Sequence, residues 1–349
     1  MAENQELPVI SVAQLPRTRR FNLADFSEKC GLIVTWGLVI IIFGILEPDT
    51  FLTLSNFQGI LGSQAVLVVL TCALIIPLTA GDIDLSVVGT LMLSQMMIGV
   101  LNAKLHWPIM EVLPLCIVMG VGVGLFNGLF AVKYGIESLI VTLGTQTLLI
   151  GIDLWISHSI TIAGIAPGLS KYTIEERFLG VPLAFYYGVG VCMVLWYIQQ
   201  YTALGRRLLF VGRNRSVSRL SGINVSRMRV GALVAAGVIS SLAGILYAGT
   251  TGAADPVSGA TFLLPAFAAA FLGATSIIPG RFNPWGSFIS VYFLVTGITG
   301  LTLLGFETFV HNLFYGGALV MAVTLSQLVR IRRGGTQSEI TGPEDRLAP

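Results

Sequence analysis

Few side chains in this chain have the type and spacing needed for covalent chemistry. His106, His158 and His311 lie far apart and form no H-E-x-x-H or similar metal-binding pattern. Cys30, Cys72, Cys116 and Cys192 are widely separated, with no C-x-x-C, and sit in or beside apolar runs, so they read as small buried hydrophobes. No Gly-Lys dipeptide occurs, which excludes a G-x-x-x-x-G-K-[ST] phosphate loop. Any nucleotide-driven work must therefore come from another polypeptide. No nucleophile–base pair or metal constellation supports an enzyme.

What remains is recognition chemistry in two polar stretches. The longer, 201–229, carries Arg206, Arg207, Arg213, Arg215, Arg219, Arg227 and Arg229. Within it, residues 216–221 can form a short helix capped by Asn214 or Ser216 and stopped by Gly222. Val217 and Leu220 would share one face of that helix, with Arg215, Ser218 and Arg219 exposed around them. One reading is a basic loop that fixes topology and touches lipid headgroups. The sharper reading is a compact helix that docks in a groove of a cytoplasmic partner. The shorter stretch runs from Gly81 through Asp82 and Asp84 to Ser86, and Asp84 or Ser86 can cap the helix that follows.

The elements that must hold these loops are membrane helices. The chain of 349 residues is 54% hydrophobic and 11% charged, with a mean hydropathy of +0.82. A water-facing surface needs about 25% charge, so a soluble enzyme and a disordered chain are both excluded. A net charge of +2 gives no reason to expect nucleic acid as a partner. About 20 apolar residues cross a bilayer, and ten stretches qualify: 30–46, 60–78, 85–103, 112–132, 138–157, 178–201, 230–253, 262–278, 284–303 and 308–329. The first lacks a signal-peptide cleavage pattern and reads as a retained span.

With the N-terminus inside, all but Lys104, Lys171 and Arg177 of the 20 Lys and Arg fall on the inner side, as the positive-inside rule requires. Both termini are then cytoplasmic. The expected organisation is an N-terminal tail (1–29), an all-α transmembrane domain (30–330) and a C-terminal tail (331–349). Gly120, Gly124 and Gly128 line one face of the fourth span, where they suit close helix contact inside the bundle.

Three stretches resemble one known family, the permease subunits of bacterial ATP-binding-cassette (ABC) importers for ribose, other sugars and the autoinducer-2 signal. Residues 81–87, GDIDLSV, are similar to the family's GGIDLSVG signature. Residues 212–223, with Gly212, Asn214, Arg219, Gly222 and Ile223, resemble its G-x-N…A-A-R-x-x-G-I coupling loop. Residues 266–276, AFAAAFLGATS, resemble its AIAAVVLGGTS helix. The order and spacing agree over about residues 30 to 330. There are departures: Asp82 replaces the second Gly of the signature, Ser216 and Ser218 stand where Ala is usual, and residues 277–286 read IIPGRFNPWG in place of a Gly-rich turn.

The resemblance implies a bundle of about ten helices of the type II importer kind, in the bacterial cytoplasmic membrane. It implies an ABC ATPase subunit that binds the ATP, so no cofactor is expected in this chain. It also implies a periplasmic or lipid-anchored binding protein, a second permease copy or homologue, and surrounding lipid. Asn214, Arg215, Ser218, Arg219, Leu220, Gly222 and Ile223 become the ATPase-coupling residues. A sugar pathway needs aromatic faces and neutral hydrogen-bonding groups, and Asn127, Gln146, Thr147, Trp155, Phe267 and Phe271 fit by type. The outer segment 157–182 reads either as a place to receive a binding protein or as a loop that only shields the bundle. The competing reading is an ion-coupled transporter or channel, for which Asp153 or Glu307 would matter.

Overall fold

The computed structural model describes residues 23–332, with α-helix as the dominant element. The expected tails lie for the most part outside these residues. α1 (Leu23–Leu46) leads into a single turn, α2 (Pro48–Phe51). α3 (Leu54–Ser63) and α4 (Ala65–Thr79) follow, separated by Gln64. α5 (Ser86–Ile98), α6 (Ile109–Gly128) and α7 (Ser138–Ser157) come next, and the first two continue into π-helical turns at Gly99–Lys104 and Leu129–Lys133.

Segment 158–182 holds a short turn, α8 (Pro167–Ser170), and three small strands. Of these, β1 (Ile162–Ala163) pairs antiparallel with β4 (Ala253–Ala254), while β2 (Arg177–Phe178) pairs with β3 (Val181–Pro182). α9 (Leu183–Tyr201), α10 (Ala203–Arg213), α11 (Arg215–Leu220) and α12 (Val225–Thr251) follow. α13 (Leu263–Gly273), α14 (Pro284–Leu303) and α15 (Phe309–Arg332) complete the described chain.

Seven helical stretches among the described residues are long and apolar enough to cross a membrane: Leu54–Thr79, Ser86–Lys104, Ile109–Lys133, Ser138–Ser157, Val225–Thr251, Pro284–Leu303 and Phe309–Leu328. The other three expected segments fall on α9, on the apolar part of α1 (Cys30–Leu46) and on Ser258–Gly273. α9 is diluted by its tyrosines and terminal glutamines. The expected span 262–278 is corrected: its helix stops at Gly273, and 274–283 is a loop. Asn283 holds that loop, donating from Nδ2 to the carbonyls of Gly273 (3.0 Å) and Ser276 (3.2 Å) while its Oδ1 caps α14 at the Gly286 N–H.

α4 is apolar all round, and every residue from Ala65 to Thr79 is buried, so it forms the axis of the bundle. α12 packs against α4, α5 and α6. The glycine line of α6 is spent within the chain. A Cβ on Gly120 would meet the Gly237 carbonyl oxygen at 2.5 Å, and one on Gly124 would collide with the α12 backbone at Val234. Three of the four cysteines are buried and Cys30 is half-buried, which corrects the expectation that all four are buried.

Candidate functional site

The turn between α4 and α5 organises the polar residues at this end of the bundle. Gly81 takes a positive φ of +78°, which a glycine adopts without steric cost. The Asp82 N–H then returns to the Pro77 carbonyl at 2.9 Å. The next residues are stitched to α7: the Ile83 N–H donates to Ser138 Oγ (3.2 Å) and the Leu85 N–H to Thr142 Oγ1 (3.1 Å).

Asp84 turns into the bundle. Its Oδ1 accepts from the N–H (2.9 Å) and hydroxyl (2.6 Å) of Ser86, which satisfies one of the free donors at the start of α5. Asn127 of α6 donates to Ser86 Oγ at 2.7 Å, and Thr145 of α7 donates to Asn127 Oδ1 at 2.7 Å. This buried chain of hydrogen bonds ties α5, α6 and α7 together. Burial pushes the Asp84 carboxyl up to about 6. The Ser86 hydrogen bonds oppose that shift, and the nearby Asp82 adds to it.

Asp82 points the other way, to the basic loop. Its carboxylate accepts from Arg229 Nε (2.7 Å) and Nη2 (2.6 Å), and from Arg215 Nη2 (3.1 Å). Arg215 also donates to the Gly81 carbonyl at 2.9 Å. The Asp82 side chain is 1% exposed, whereas those of Arg229 and Arg215 are 13% and 41% exposed.

α11 lies on this turn. Asn214 Oδ1 caps it at the Val217 N–H (2.9 Å), and Gly222 at φ +78° closes it, with the Ile223 N–H returning to the Ser218 carbonyl. Two side chains depart from expectation. Ser218 is buried at 2% exposure where α11 packs on α10 and α12, with its hydroxyl bonded to the Asn214 carbonyl, and Arg215 folds onto Gly81 and Asp82. The outward face belongs to Val217 and Leu220, which are 52% and 88% exposed, with Arg219 beside them. A cavity of about 350 Å³ adjoins α11, lined by Arg207, Gly222, Ile223, Asn224 and Arg227 among others. Arg281, in the loop before α14, reaches the same end: burial, and then the charge of Arg213, lower its pKa.

The expected pathway residues do not converge. Asn127 belongs to the buried network, and Gln146 is buried against α5 near Gly89. Thr147 and Trp155 face outward from α7, with Trp155 75% exposed. Phe267 and Phe271 lie on α13, which packs on α4, α14 and α15. Asp153 is buried in α7 with neither carboxylate oxygen hydrogen-bonded among the described residues, while Glu307 is exposed. The sequence reading missed the part played by Asp82 and Arg229. Its available signal was Asp82 itself, a charge standing where the signature has Gly.

The fold is that of a multi-pass membrane protein in which a polar network braces one end and a basic loop presents a capped helix with an outward apolar face. The chain belongs to the family described as "Branched-chain amino acid transport system / permease component", which matches residues 56–323. It is the permease subunit of an ABC importer and not an enzyme. The D-allose transport system permease protein AlsC of Escherichia coli (strain K12) is 29% identical over 88% of this chain and 94% of its own length. The ribose import permease protein RbsC of Bacillus subtilis (strain 168) is 30% identical over 88% of this chain and 96% of its own. The L-arabinose ABC transporter permease protein AraH of Azospirillum brasilense is 26% identical over 95% of this chain and 97% of its own. No solved structure matches this chain significantly.

Proposed function

We propose that this permease forms the pathway for a sugar or sugar-like solute across the bacterial cytoplasmic membrane. A binding protein delivers the solute from outside, and a separate ATPase subunit supplies the energy and holds the ATP. The chain crosses the membrane ten times with both termini cytoplasmic, and it pairs with a second copy or a homologous permease. Its relatives carry allose, ribose and arabinose in their names, which supports the sugar class.

One observation carries the coupling role. Val217 and Leu220 project from a rigidly capped helix at the basic end of the bundle, and among the described residues little covers them. Exposed apolar side chains on a stiff, positively charged platform fit a protein groove better than headgroups, which need only the charge. ATP-driven closure of the ATPase pair pushes α11 and rocks the spans around a central pathway.

The test is uptake in proteoliposomes holding the permease, its cognate ATPase and its binding protein. Radiolabelled D-ribose, D-allose, L-arabinose and D-fructose are offered with and without ATP. ATP-dependent uptake of one of them is expected. Uptake by the purified chain alone, driven by an ion gradient, overturns the reading.

A further inference from the structure

We propose that Asp82 is the positioning residue that makes α11, α12 and the α4–α5 turn move as one body, so that a push on the docking helix reaches the bundle axis. The inference rests on α11 being the ATPase-docking helix and adds the route by which its motion travels.

Four features of the structure support it. First, the contact is buried: the Asp82 side chain is 1% exposed, so water does not screen its charge as it would a surface pair. Second, its geometry is directional. Arg229 meets both carboxylate oxygens through Nε and Nη2, and a planar fork of this kind fixes angle as well as distance. Arg215 adds a second arm from α11 that also holds the Gly81 carbonyl.

Third, the backbones touch beneath the clamp. A Cβ on Gly212, at the end of α10, would collide with the Thr79 carbonyl oxygen, so the loop has no room to slide over the end of α4. Fourth, the turn leads directly into buried helices. α4 is buried along its whole length, and Ser86 to Met96 of α5 are buried without interruption. A displacement of α11 therefore cannot be absorbed locally. It passes through Arg215 and Arg229 to Asp82, and from there to α4, α5 and α12 together.

Removing the carboxylate leaves two guanidiniums facing each other. The clamp should then open without loss of the Val217–Leu220 docking face, which points away from it. The predicted defect is uncoupling: the ATPase still binds and hydrolyses ATP, but the far ends of the spans no longer respond.

The experiment places nitroxides at Lys104 and Leu179, two exposed positions at the end of the bundle remote from the clamp. The four native cysteines are replaced by alanine. Pulsed electron paramagnetic resonance measures the label separation in the assembled importer, before and after trapping with ATP and vanadate. The wild-type background should show a shift, and D82N should reduce it at least fivefold while the ATPase copurifies at the wild-type ratio. R215M, which removes only the partly exposed arm, should give an intermediate shift and keeps the test alive if D82N does not fold. A wild-type shift retained in both variants overturns the clamp and leaves the proposed function standing. Loss of ATPase copurification in R215M also overturns it, because the residue would then serve docking. No shift in the wild-type background also overturns the clamp, because the push on α11 then does not reach these ends, while the uptake test of the proposed function stands apart from it.

Discussion

Asp82 and Arg229 are 147 residues apart in sequence and meet through two hydrogen bonds of 2.6 and 2.7 Å at one end of the bundle. The pair joins the turn after the axial helix α4 to the first turns of α12, and Arg215 adds α11 to the same carboxylate. Motif similarity points to each of the two loops separately. The ion pair joins the two loops directly.

The proposed docking face can be separated from the fold. Leu220 is 88% exposed, so Leu220→Glu should leave the thermal stability of the purified permease within about 0.5 kcal/mol of wild type. The same change places a charge against the groove of the ATPase and should abolish copurification of the complex. Retained copurification would show that α11 does not dock through this side chain.

Asp84 gives the permease a pH dependence. Its carboxyl is held at about 6, against an ordinary value of 3.8. The folded state therefore binds a proton more tightly than the unfolded state. That contribution is fully present below about pH 4 and is lost as pH rises through about 6, amounting to about 3 kcal/mol. Thermal unfolding in detergent should show stability falling across this window. Asp84→Asn, which keeps an oxygen for the Ser86 donors, should flatten the profile.

The glycine line of α6 supplies its own control. Gly124→Leu would force a side chain into the α12 backbone at Val234 and should cost about 1–3 kcal/mol or more, read as a lowered unfolding temperature. Gly122 lies two residues away with nothing within 4 Å of an added Cβ. Gly122→Leu should be neutral or slightly stabilising, because leucine favours the helix.

Asp153 is buried with no hydrogen-bond partner for either oxygen among the described residues, an arrangement that costs free energy when the group is ionised. Asp153→Asn should raise stability by about 1 kcal/mol or more, and ATP-driven uptake should persist. Loss of uptake together with loss of a proton-gradient response would instead mark this carboxyl as a coupling group.

The membrane class of this protein was legible in its composition, and the short helix α11 in its local signals. Asn214, Gly222 and the intervening residues specify α11 because a cap and a stop act within a few positions of chain. The transmembrane stretches were legible for a similar reason, since each satisfies its own backbone hydrogen bonds and needs only sufficient apolar length. The end of α13 at Gly273 was less so. The first residues that follow, Ala274 to Ile278, are nearly as apolar as the helix, and the loop is held by Asn283, ten residues further on.

Which charges are paired, and which apolar residues face outward, depended on the tertiary structure. Ser218 and Arg215 have the same local sequence signals as exposed loop residues, yet one is buried and the other is bound to a turn 133 residues away. The residues expected to share a pathway divide between the α6–α7 contact, the outward face of α7 and α13, because residue type says nothing about which face of a helix meets which neighbour. The sequence by itself determined a membrane bundle with seven of its 20 Lys and Arg in one loop, since hydrophobic length and charge placement are local properties. Only the tertiary structure decided that Asp82 ties this loop to the axis of the bundle, because an ion pair exists only where the fold brings distant segments within about 3 Å.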